Sequence, residues 1–247
     1  MRTLVIDVGN TRIKWGLGLA STLLEQGVFS TQQSLDSHCH DQWNNITSPQ
    51  RVLISCVSDQ AVVADLSQWC RQRWQVPVSV AQSSANRGKV TNSYPKPTHL
   101  GVDRWIGLIA AHHLYPGDTC IIDCGTAITI DLIDQHGQHL GGMIAPGLQL
   151  MHQALTQNTR QINVSHSDSD HLLANNTTDA VSNGVFMSAV GLIEASVKRI
   201  EQQLGHCPQI VVTGGDGKRI MADTQIPHQL EPNLLLKGLL HYAMECS

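Results

Sequence analysis

The chain has 247 residues, 41% hydrophobic and 4% aromatic, and a net charge of −4 at pH 7, so it can bury one large core or two smaller ones. It carries no basic block that could neutralise phosphates, which argues against a nucleic-acid partner. We expect no membrane partner, because we interpret no run of residues as long and apolar enough to span a bilayer. We also expect no signal peptide, because the N-terminus begins at once with the pattern of a strand.

The first half of the chain opens with apolar, alternating segments that are typical of strands, and helices follow later. Hydrophobic periodicity and the positions of Gly and Pro set the approximate bounds of each element. In chain order we predict a strand over 3–8, its hairpin partner over 11–19, a third strand over 22–30, a loop or weak helix over 31–50, a strand over 51–58, a helix over 59–74, a strand over 77–81, a loop over 83–100 and a helix over 101–114.

The second half repeats this beginning. In chain order we predict a hairpin over 119–137, a strand and turn over 139–147, a helix over 148–157, a polar loop over 158–176, a long helix over 177–204, a strand over 209–215 and a closing helix over 232–244. Both halves begin with a strand, an Asp-x-Gly turn and a second strand, which indicates an internal repeat. We therefore predict two α/β domains, over 1–115 and 116–247, with a ligand cleft between them.

Cysteine usage indicates the redox compartment. The seven cysteines are odd in number and none has the Cys-x-x-Cys spacing. Several fall in strand-like segments, as buried free thiols do in a reducing compartment. We therefore expect a cytoplasmic protein without a disulfide framework.

The first candidate functional site is the pair of repeated Asp-x-Gly turns, at Asp7 to Gly9 and at Asp123 to Gly125. A carboxylate at the end of a buried strand is costly unless something compensates it, and a glycine lets backbone amides approach a ligand closely. Amides and hydroxyls together suit phosphate, and the carboxylate would then act through Mg²⁺. Each turn taken alone is more simply a hairpin turn. Their recurrence in register favours the phosphate interpretation.

A second candidate site lies at Gly101-Val-Asp-Arg104. The apolar positions from Val102 onward form one helical stripe, and Asp103 lies off that stripe in the first turn, where the helix dipole favours an acid. Asp103 and Arg104 could therefore simply be a solvated acid and a solvated base. In favour of a site, the segment follows a Gly/Pro-rich loop that contains Tyr94, and such loops often line sites.

Five short motifs follow one another in a fixed order along nearly the whole chain. They are Asp7–Lys14 (DVGNTRIK), Gly101–Arg104 (GVDR), Asp123–Ala127 (DCGTA), Gly141–Gly147 (GGMIAPG) and Thr213–Gly215 (TGG). In this order they resemble the motifs of type III pantothenate kinases, which belong to the superfamily of acetate kinase, sugar kinases, Hsp70 and actin. The resemblance implies an α/β fold of two duplicated actin-like (ribonuclease H-like) domains with a nucleotide cleft between them.

The resemblance further implies phosphorylation of pantothenate by ATP, the first step of coenzyme A synthesis, with Mg²⁺ and either K⁺ or NH₄⁺ as cofactors. It implies a homodimer in which the substrate pocket lies near the subunit interface. Asp103 would be the proton acceptor, and Asp123 would hold the monovalent cation. A threonine at the start of the long helix, Thr177 or its rival Thr178, would reach the partner's substrate.

Binding roles follow from the same resemblance. The ATP-binding residues would be Asp7, Val8, Gly9, Asn10, Thr11, Arg12, Ile13, Lys14 and Thr126. The pantothenate-binding residues would be Tyr94, Gly101, Val102, Asp103, Arg104 and Thr177.

Two other functions stay open on the sequence. One is a non-catalytic regulator that keeps an ATP cleft, and the other is a kinase or phosphatase of the same superfamily that acts on a different acid or sugar. Cys124, inside the second turn, could be taken for a nucleophile, but it is better interpreted as a small buried filler, because Val8 takes that position in the first turn.

Overall fold

The computed structural model of the chain describes residues 1–31, 35–57, 60–158 and 172–245. The elements of the first half are β1 (Arg2–Val8), β2 (Arg12–Leu19), β3 (Thr22–Ser30), α1 (Leu35–Trp43), β4 (Arg51–Cys56), α2 (Gln60–Trp74), β5 (Val78–Val80), β6 (Asn86–Arg87), β7 (Val90–Thr91) and α3 (Val102–Leu114). Those of the second half are β8 (Thr119–Cys124), β9 (Ala127–Ile133), β10 (His139–Pro146), α4 (Leu148–Asn158), α5 (Thr177–Leu204), β11 (Gln209–Thr213), α6 (Gly217–Met221), β12 (Gln229–Leu230) and α7 (Leu234–Met244).

The strands form two five-stranded sheets of the same topology. The first sheet has the order β3-β2-β1-β4-β5, and the second has the order β10-β9-β8-β11-β12. In each sheet the first strand of the hairpin is central and pairs in parallel with the next strand along the chain, β1 with β4 and β8 with β11. The predicted internal repeat is therefore confirmed, because both halves build the same sheet from strands in the same sequence order.

The central strands are apolar along nearly their whole length because both of their faces are buried. Six consecutive residues of β1 are buried, from Thr3 to Val8. Continuous apolar runs of this kind are typical of strands in parallel pairs that are covered on both faces. This is why the Asp-x-Gly turns come directly after unbroken apolar runs in the sequence.

The chain divides into two compact units that are not continuous in sequence. Unit 1 contains the described residues of 1–117, 133–141 and 233–245, and unit 2 contains those of 118–132 and 142–232. The predicted division at 115/116 placed the closing helix in the C-terminal domain, whereas the structure assigns α7 to unit 1. The reason is the close packing of α7 on α3: a Cβ on Gly238 would collide with the backbone carbonyl of Ile106.

Each unit has its own hydrophobic core. The core of unit 1 includes β1, β2 and β4 residues and an aromatic group in which Trp43 packs edge-on against Trp15 and Trp69. The core of unit 2 is formed by β8, β9 and β11 residues together with the buried side of α5, including Val185, Ala189 and Ile193.

The sequence-based expectation that no segment is long and apolar enough to span a bilayer is wrong for α5. By length and composition this 28-residue helix passes such a test, with a mean hydropathy of 1.4 over 18 residues, of which 39% are buried. The helix passes because the residues between Asp179 and Glu194 carry no charge and include several Gly, Ala and Val residues. Core helices pass the same test, and α5 contributes to the core of unit 2.

Candidate active site

Asp7 lies at the buried end of β1, between partners from two neighbouring strands. In the sheet register it faces Lys14 of β2 on one side and Ser55 of β4 on the other. The Ser55 hydroxyl donates a hydrogen bond of 2.6 Å to Asp7 Oδ1. Burial raises the pKa of Asp7, while the hydrogen bond from Ser55 and the charge of Lys14 lower it. Two compensating groups thus surround a carboxylate that burial alone would disfavour.

The turn after Asp7 presents backbone and polar groups at the surface of unit 1. Gly9 N–H donates to the carbonyl of Arg12 at 3.0 Å and closes the turn. Asn10, Thr11 and Arg12 are exposed, whereas Val8 and Ile13 are fully buried in the core. Of the residues expected to bind ATP, Asn10, Thr11 and Arg12 are therefore accessible to a ligand, whereas Val8 and Ile13 are core residues.

Asp103 is fixed at the N-terminus of α3. Its Oδ1 accepts a 2.7 Å hydrogen bond from the backbone N–H of Arg104. The carboxylate folds back over Gly101, so that a Cβ at Gly101 would lie 2.7 Å from Asp103 Oδ1. The glycine before the helix thus makes room for the acid, and the helix N-terminus stabilises its negative charge.

Arg104 is not the solvated base that the simpler interpretation of the sequence allowed. It is 7% exposed, and its Nη1 donates a 2.8 Å hydrogen bond to the hydroxyl of Tyr94. The guanidinium carbon lies 5.6 Å from the centroid of the Tyr94 ring. A buried guanidinium needs such partners, and here the loop before α3 supplies one of them. Tyr94 and Arg104, both expected in the pantothenate pocket, are in contact.

Asp7 and Asp103 are near enough to influence each other within unit 1. The charge of Asp103 raises the pKa of Asp7, in addition to the larger effect of burial. Two acids that lie near each other are electrostatically unfavourable unless the site serves a ligand that balances them. The first and second motifs of the sequence therefore belong to one electrostatic neighbourhood.

The second Asp-x-Gly turn also joins two strands of a hairpin, within unit 2, and is one residue shorter than the first. Gly125 N–H donates to the carbonyl of Ala127, and Gly147 N–H donates to that of Thr126. Asp123, at the end of β8, pairs in register with Thr213 of β11. A Cβ on Gly214 would collide with the backbone of Cys124 and would lie 2.5 Å from Asp123 Oδ1. Three of the five motifs thus meet at this turn: DCGTA, the end of GGMIAPG, and TGG.

Cys124 is a buried filler, as the sequence indicated. Its side chain is fully buried. Burial, followed by the charges of Asp123 and Asp216, raises the pKa of its thiol to about 12. A thiol in that state is not a nucleophile at neutral pH.

Thr177 begins α5, and the helix is capped by its neighbour Asn176. The Asn176 side chain accepts a 3.0 Å hydrogen bond from the N–H of Asp179 and donates to the Asp179 carboxylate. Thr177 lies on a groove of about 810 Å³ in unit 2 that is lined mainly by apolar residues of α4 and α5. The predicted polar loop before α5 falls largely on 159–171, outside the described residues.

Sequence reasoning missed two residues of this neighbourhood, Ser55 and His139. Ser55 is the polar residue within the apolar run VLISC of β4, and that interruption was the available signal. His139 is buried beside the Tyr94 loop, and no local pattern marks it.

Comparison with known proteins agrees with the sequence motifs. A family model described as type III pantothenate kinase matches residues 3–199. A type III pantothenate kinase of Nitrosococcus oceani is 32% identical over 99% of this chain and 94% of its own length. One of Laribacter hongkongensis is 34% identical over 98% of this chain and 99% of its own length.

Solved structures share the fold. A Campylobacter jejuni protein described as belonging to the Baf family of transcriptional activators has a TM-score of 0.58 and 21% identity, with 98% of both chains covered. The activator of 2-hydroxyisocaproyl-CoA dehydratase from Clostridium difficile, with bound ADPNP, has a TM-score of 0.54 and 13% identity, covering 99% of this chain and 93% of that one. At these identities the likeness shows the fold alone, which is α/β with two duplicated actin-like domains. The family model and the near-full-length relatives show that the chain belongs to the type III pantothenate kinase family.

Proposed function

We propose that Asp103 accepts the proton of the pantothenate hydroxyl while that hydroxyl attacks the terminal phosphorus of ATP. The chain is a kinase by family, and the family's reaction is the ATP-dependent phosphorylation of pantothenate to 4′-phosphopantothenate, the first step of coenzyme A synthesis. One bond forms from the hydroxyl oxygen to phosphorus, the bond from phosphorus to the bridging oxygen breaks, and ADP leaves. The observation that carries the proposal is the position of Asp103, which is held at the start of α3 directly beside the buried pair of Arg104 and Tyr94.

Asp103 does not need to be a strong base for this role. Phosphoryl transfer passes through a loose transition state, so that positioning and charge neutralisation supply most of the rate. The backbone hydrogen bond that Asp103 accepts holds the carboxylate in one orientation at the start of α3. In this role Asp103 orients the hydroxyl of pantothenate and removes the hydroxyl proton late in the reaction.

Arg104 and Tyr94 would recognise the carboxylate of pantothenate, with Gly101 and Val102 completing the pocket. A guanidinium binds a carboxylate through paired hydrogen bonds, and Arg104 is already held in place by the Tyr94 hydroxyl. Because that hydroxyl accepts a hydrogen bond from Arg104, its own proton remains available for a ligand.

The turn over Asp7–Lys14 would hold the phosphates of ATP. Mg²⁺ is usually bound by one or two carboxylates along with phosphate oxygens and water, and Asp7 near the exposed Asn10 and Thr11 fits that pattern. Within the described parts of the chain, no group of three or more His, Cys, Asp or Glu side chains is arranged to hold a metal by itself. The ion, when bound, would neutralise phosphate charge, and Asp7 would contact it through water.

Asp123 would hold the monovalent cation, K⁺ or NH₄⁺. Its Oδ1 lies over Gly214, and the backbone of Cys124 lies against the same glycine. Carboxylate and carbonyl oxygens together suit a large monovalent cation better than they suit phosphate, since phosphate would be repelled by them.

A homodimer would complete the site, with Thr177 (or Thr178) reaching the partner's substrate. Unit 2 exposes large apolar side chains on β10, α4 and α5: Met143, Ile144, Leu150, Leu155 and Met187. Burial of exposed apolar side chains is what stabilises most subunit contacts. The protein would work in the cytoplasm, without a nucleic-acid or membrane partner.

Mass spectrometry of the product tests this function. Purified protein with ATP, Mg²⁺ and K⁺ should add one phosphoryl group to pantothenate. Absence of product both with K⁺ and with NH₄⁺ would favour the alternative function of a non-catalytic regulator that keeps an ATP cleft. Product from another acid or sugar alone would favour a different kinase of the superfamily.

A further inference from the structure

His139 is a buried histidine beside the loop that carries Tyr94. It is 1% exposed and is the first residue of β10. Like Tyr94, it belongs to unit 1. The two rings lie nearly parallel, at an angle of 15° and a centroid distance of 6.0 Å. The Nδ1 atom of His139 lies 3.0 Å from the hydroxyl oxygen of Ser93, the residue before Tyr94. The histidine thus holds the loop by a hydrogen bond and faces its aromatic ring.

The turn that delivers His139 is itself tightly fixed. Asp134 Oδ1 accepts hydrogen bonds from the backbone N–H groups of His136 and Gln138, at 2.9 and 2.8 Å. The carbonyl of Gly137 accepts a 2.9 Å hydrogen bond from the N–H of Thr91, three residues before Tyr94. Gly137 has a φ of +87°, and a Cβ there would collide with the carbonyl of Lys89. His139 therefore reaches the Tyr94 loop from a turn docked on the same loop.

Tyr94 also contacts Arg104, which the proposed function assigns to substrate binding. Its hydroxyl accepts the hydrogen bond from Arg104, and its N–H donates to the Asn92 side chain at 3.0 Å. Asn92 is buried and also donates to the carbonyls of Ser84 and Pro97, at 3.2 Å each. Displacement of the Tyr94 ring would therefore move the acceptor that holds the Arg104 guanidinium.

We propose that His139 is a positioning residue for pantothenate, which acts by holding Tyr94, and through it Arg104, in the orientation that binds the substrate's carboxylate. The inference rests on the proposed function and adds a residue to its substrate site. Because His139 acts through Tyr94 on ground-state binding, its loss should raise KM for pantothenate and leave kcat and KM for ATP nearly unchanged.

Steady-state kinetics of Ser93→Ala, His139→Asn and His139→Phe test the proposal. Ser93 is exposed, so Ser93→Ala should fold normally and lose only the hydrogen bond. We expect KM for pantothenate to rise about fivefold in Ser93→Ala, and by roughly tenfold or more in His139→Phe, which keeps a flat ring but cannot accept or donate. His139→Asn should restore part of the loss, because its amide can replace Nδ1.

The matched control is Ser84→Ala. Ser84 lies on the same loop and its hydroxyl donates to the carbonyl of Asn86 at 2.9 Å, so this variant removes a comparable hydrogen bond at the other end of the loop. It should keep the wild-type KM for both substrates. Unchanged KM for pantothenate in Ser93→Ala and His139→Phe, or an equal rise in KM for ATP, would overturn the positioning role. A wild-type protein without turnover on pantothenate would instead overturn the function and this inference together.

Discussion

Asp7 shows how a buried acid is tolerated at the end of an apolar strand. Burial raises its pKa, and the Ser55 hydrogen bond and the Lys14 charge act in the opposite direction. A protein selected for stability alone would place an apolar residue there, because removing a buried charge and its partners together is often neutral or stabilising. The presence of an acid at this position, near Asp103, is therefore better explained by a ligand than by stability.

Gly214 combines a left-handed backbone conformation with close packing against the proposed cation site. It has a φ of +89°, and a Cβ would collide with the Cys124 backbone and crowd Asp123. Gly214→Ala should lower the free energy of unfolding by more than the ~1–2 kcal/mol that a left-handed residue costs by itself. It should also weaken activation by K⁺, because Asp123 must move.

Gly205→Ala is the control for that substitution. Gly205 also has a positive φ, +78°, but no atom lies within 4 Å of the Cβ position. Urea unfolding should show a loss of about 1 kcal/mol for Gly205→Ala and a clearly larger loss for Gly214→Ala. Equal losses, with K⁺ activation unchanged in both, would show that crowding at Asp123 has no consequence.

At the scale of elements, α3 and α7 are joined by a group of histidines within unit 1. The rings of His113 and His241 lie 4.4 Å apart, and His113 Nε2 lies 3.1 Å from Glu245 Oε1. Both ring nitrogens of His241 are buried, and neither has a hydrogen-bond partner among the described residues. Burial, followed by the charge of His113, lowers the pKa of His241 to about 4. The packing of α7 on α3 therefore favours a neutral His241.

This arrangement predicts a specific loss of stability in acid. The pKa of His241 in the folded state is below the ordinary histidine value of about 6.5, so its contribution is complete above pH 6.5 and is lost as the pH falls through about 4. His241→Leu should unfold with a smaller dependence on pH over that range, as measured by urea unfolding at several pH values. The same substitution at the exposed His228 should keep the wild-type dependence, and an identical profile for His241→Leu would refute the prediction.

At the scale of the whole molecule, the exposed apolar side chains of unit 2 predict self-association. Ile144 is 65% exposed on β10, the edge strand of the second sheet. Ile144→Glu should convert a dimer into a monomer in light-scattering measurements. It should also lower turnover, because the partner's threonine would then be absent.

Leu24→Glu provides the matched control for that variant. Leu24 is similarly exposed, but it lies on β3, the corresponding edge strand of the first sheet. This variant should keep the mass and the activity of the wild type. A wild-type protein that is monomeric at micromolar concentration and fully active would contradict the proposed interface.

The sequence predicted the parts of the fold that depend on local periodicity. The strands on either side of Gly9 and Gly125, and the start of α5 at Thr177, lie where apolar spacing placed them. The short elements β6, β7, α6 and β12 were missed, since two to five residues are too few to show a period, and β6 and β7 lie within the predicted loop over 83–100. The sequence also did not predict that α7 belongs to unit 1. That placement depends on contacts with α3, which lies more than a hundred residues earlier in the chain.

Residues of the candidate site could be predicted only where they belong to a short sequence motif. Asp7, Asp103 and Asp123 each stand in a short motif, so the sequence could single them out. The burial of Arg104 could not be predicted, because its partner Tyr94 comes from a loop without periodicity. The role of His139 depends on the turn over 134–138, which only the tertiary structure brings to that loop.

Turnover of pantothenate by Asp103→Asn, with ATP binding measured in parallel, is the decisive test of whether Asp103 accepts the proton. The substitution keeps the shape of the side chain and an oxygen that can accept the Arg104 N–H, but it removes the proton acceptor. We expect a kcat lower by roughly 10²- to 10⁴-fold, with ATP affinity and the melting temperature close to those of the wild type. Near-normal turnover in this variant would contradict the assignment of Asp103 as the proton acceptor.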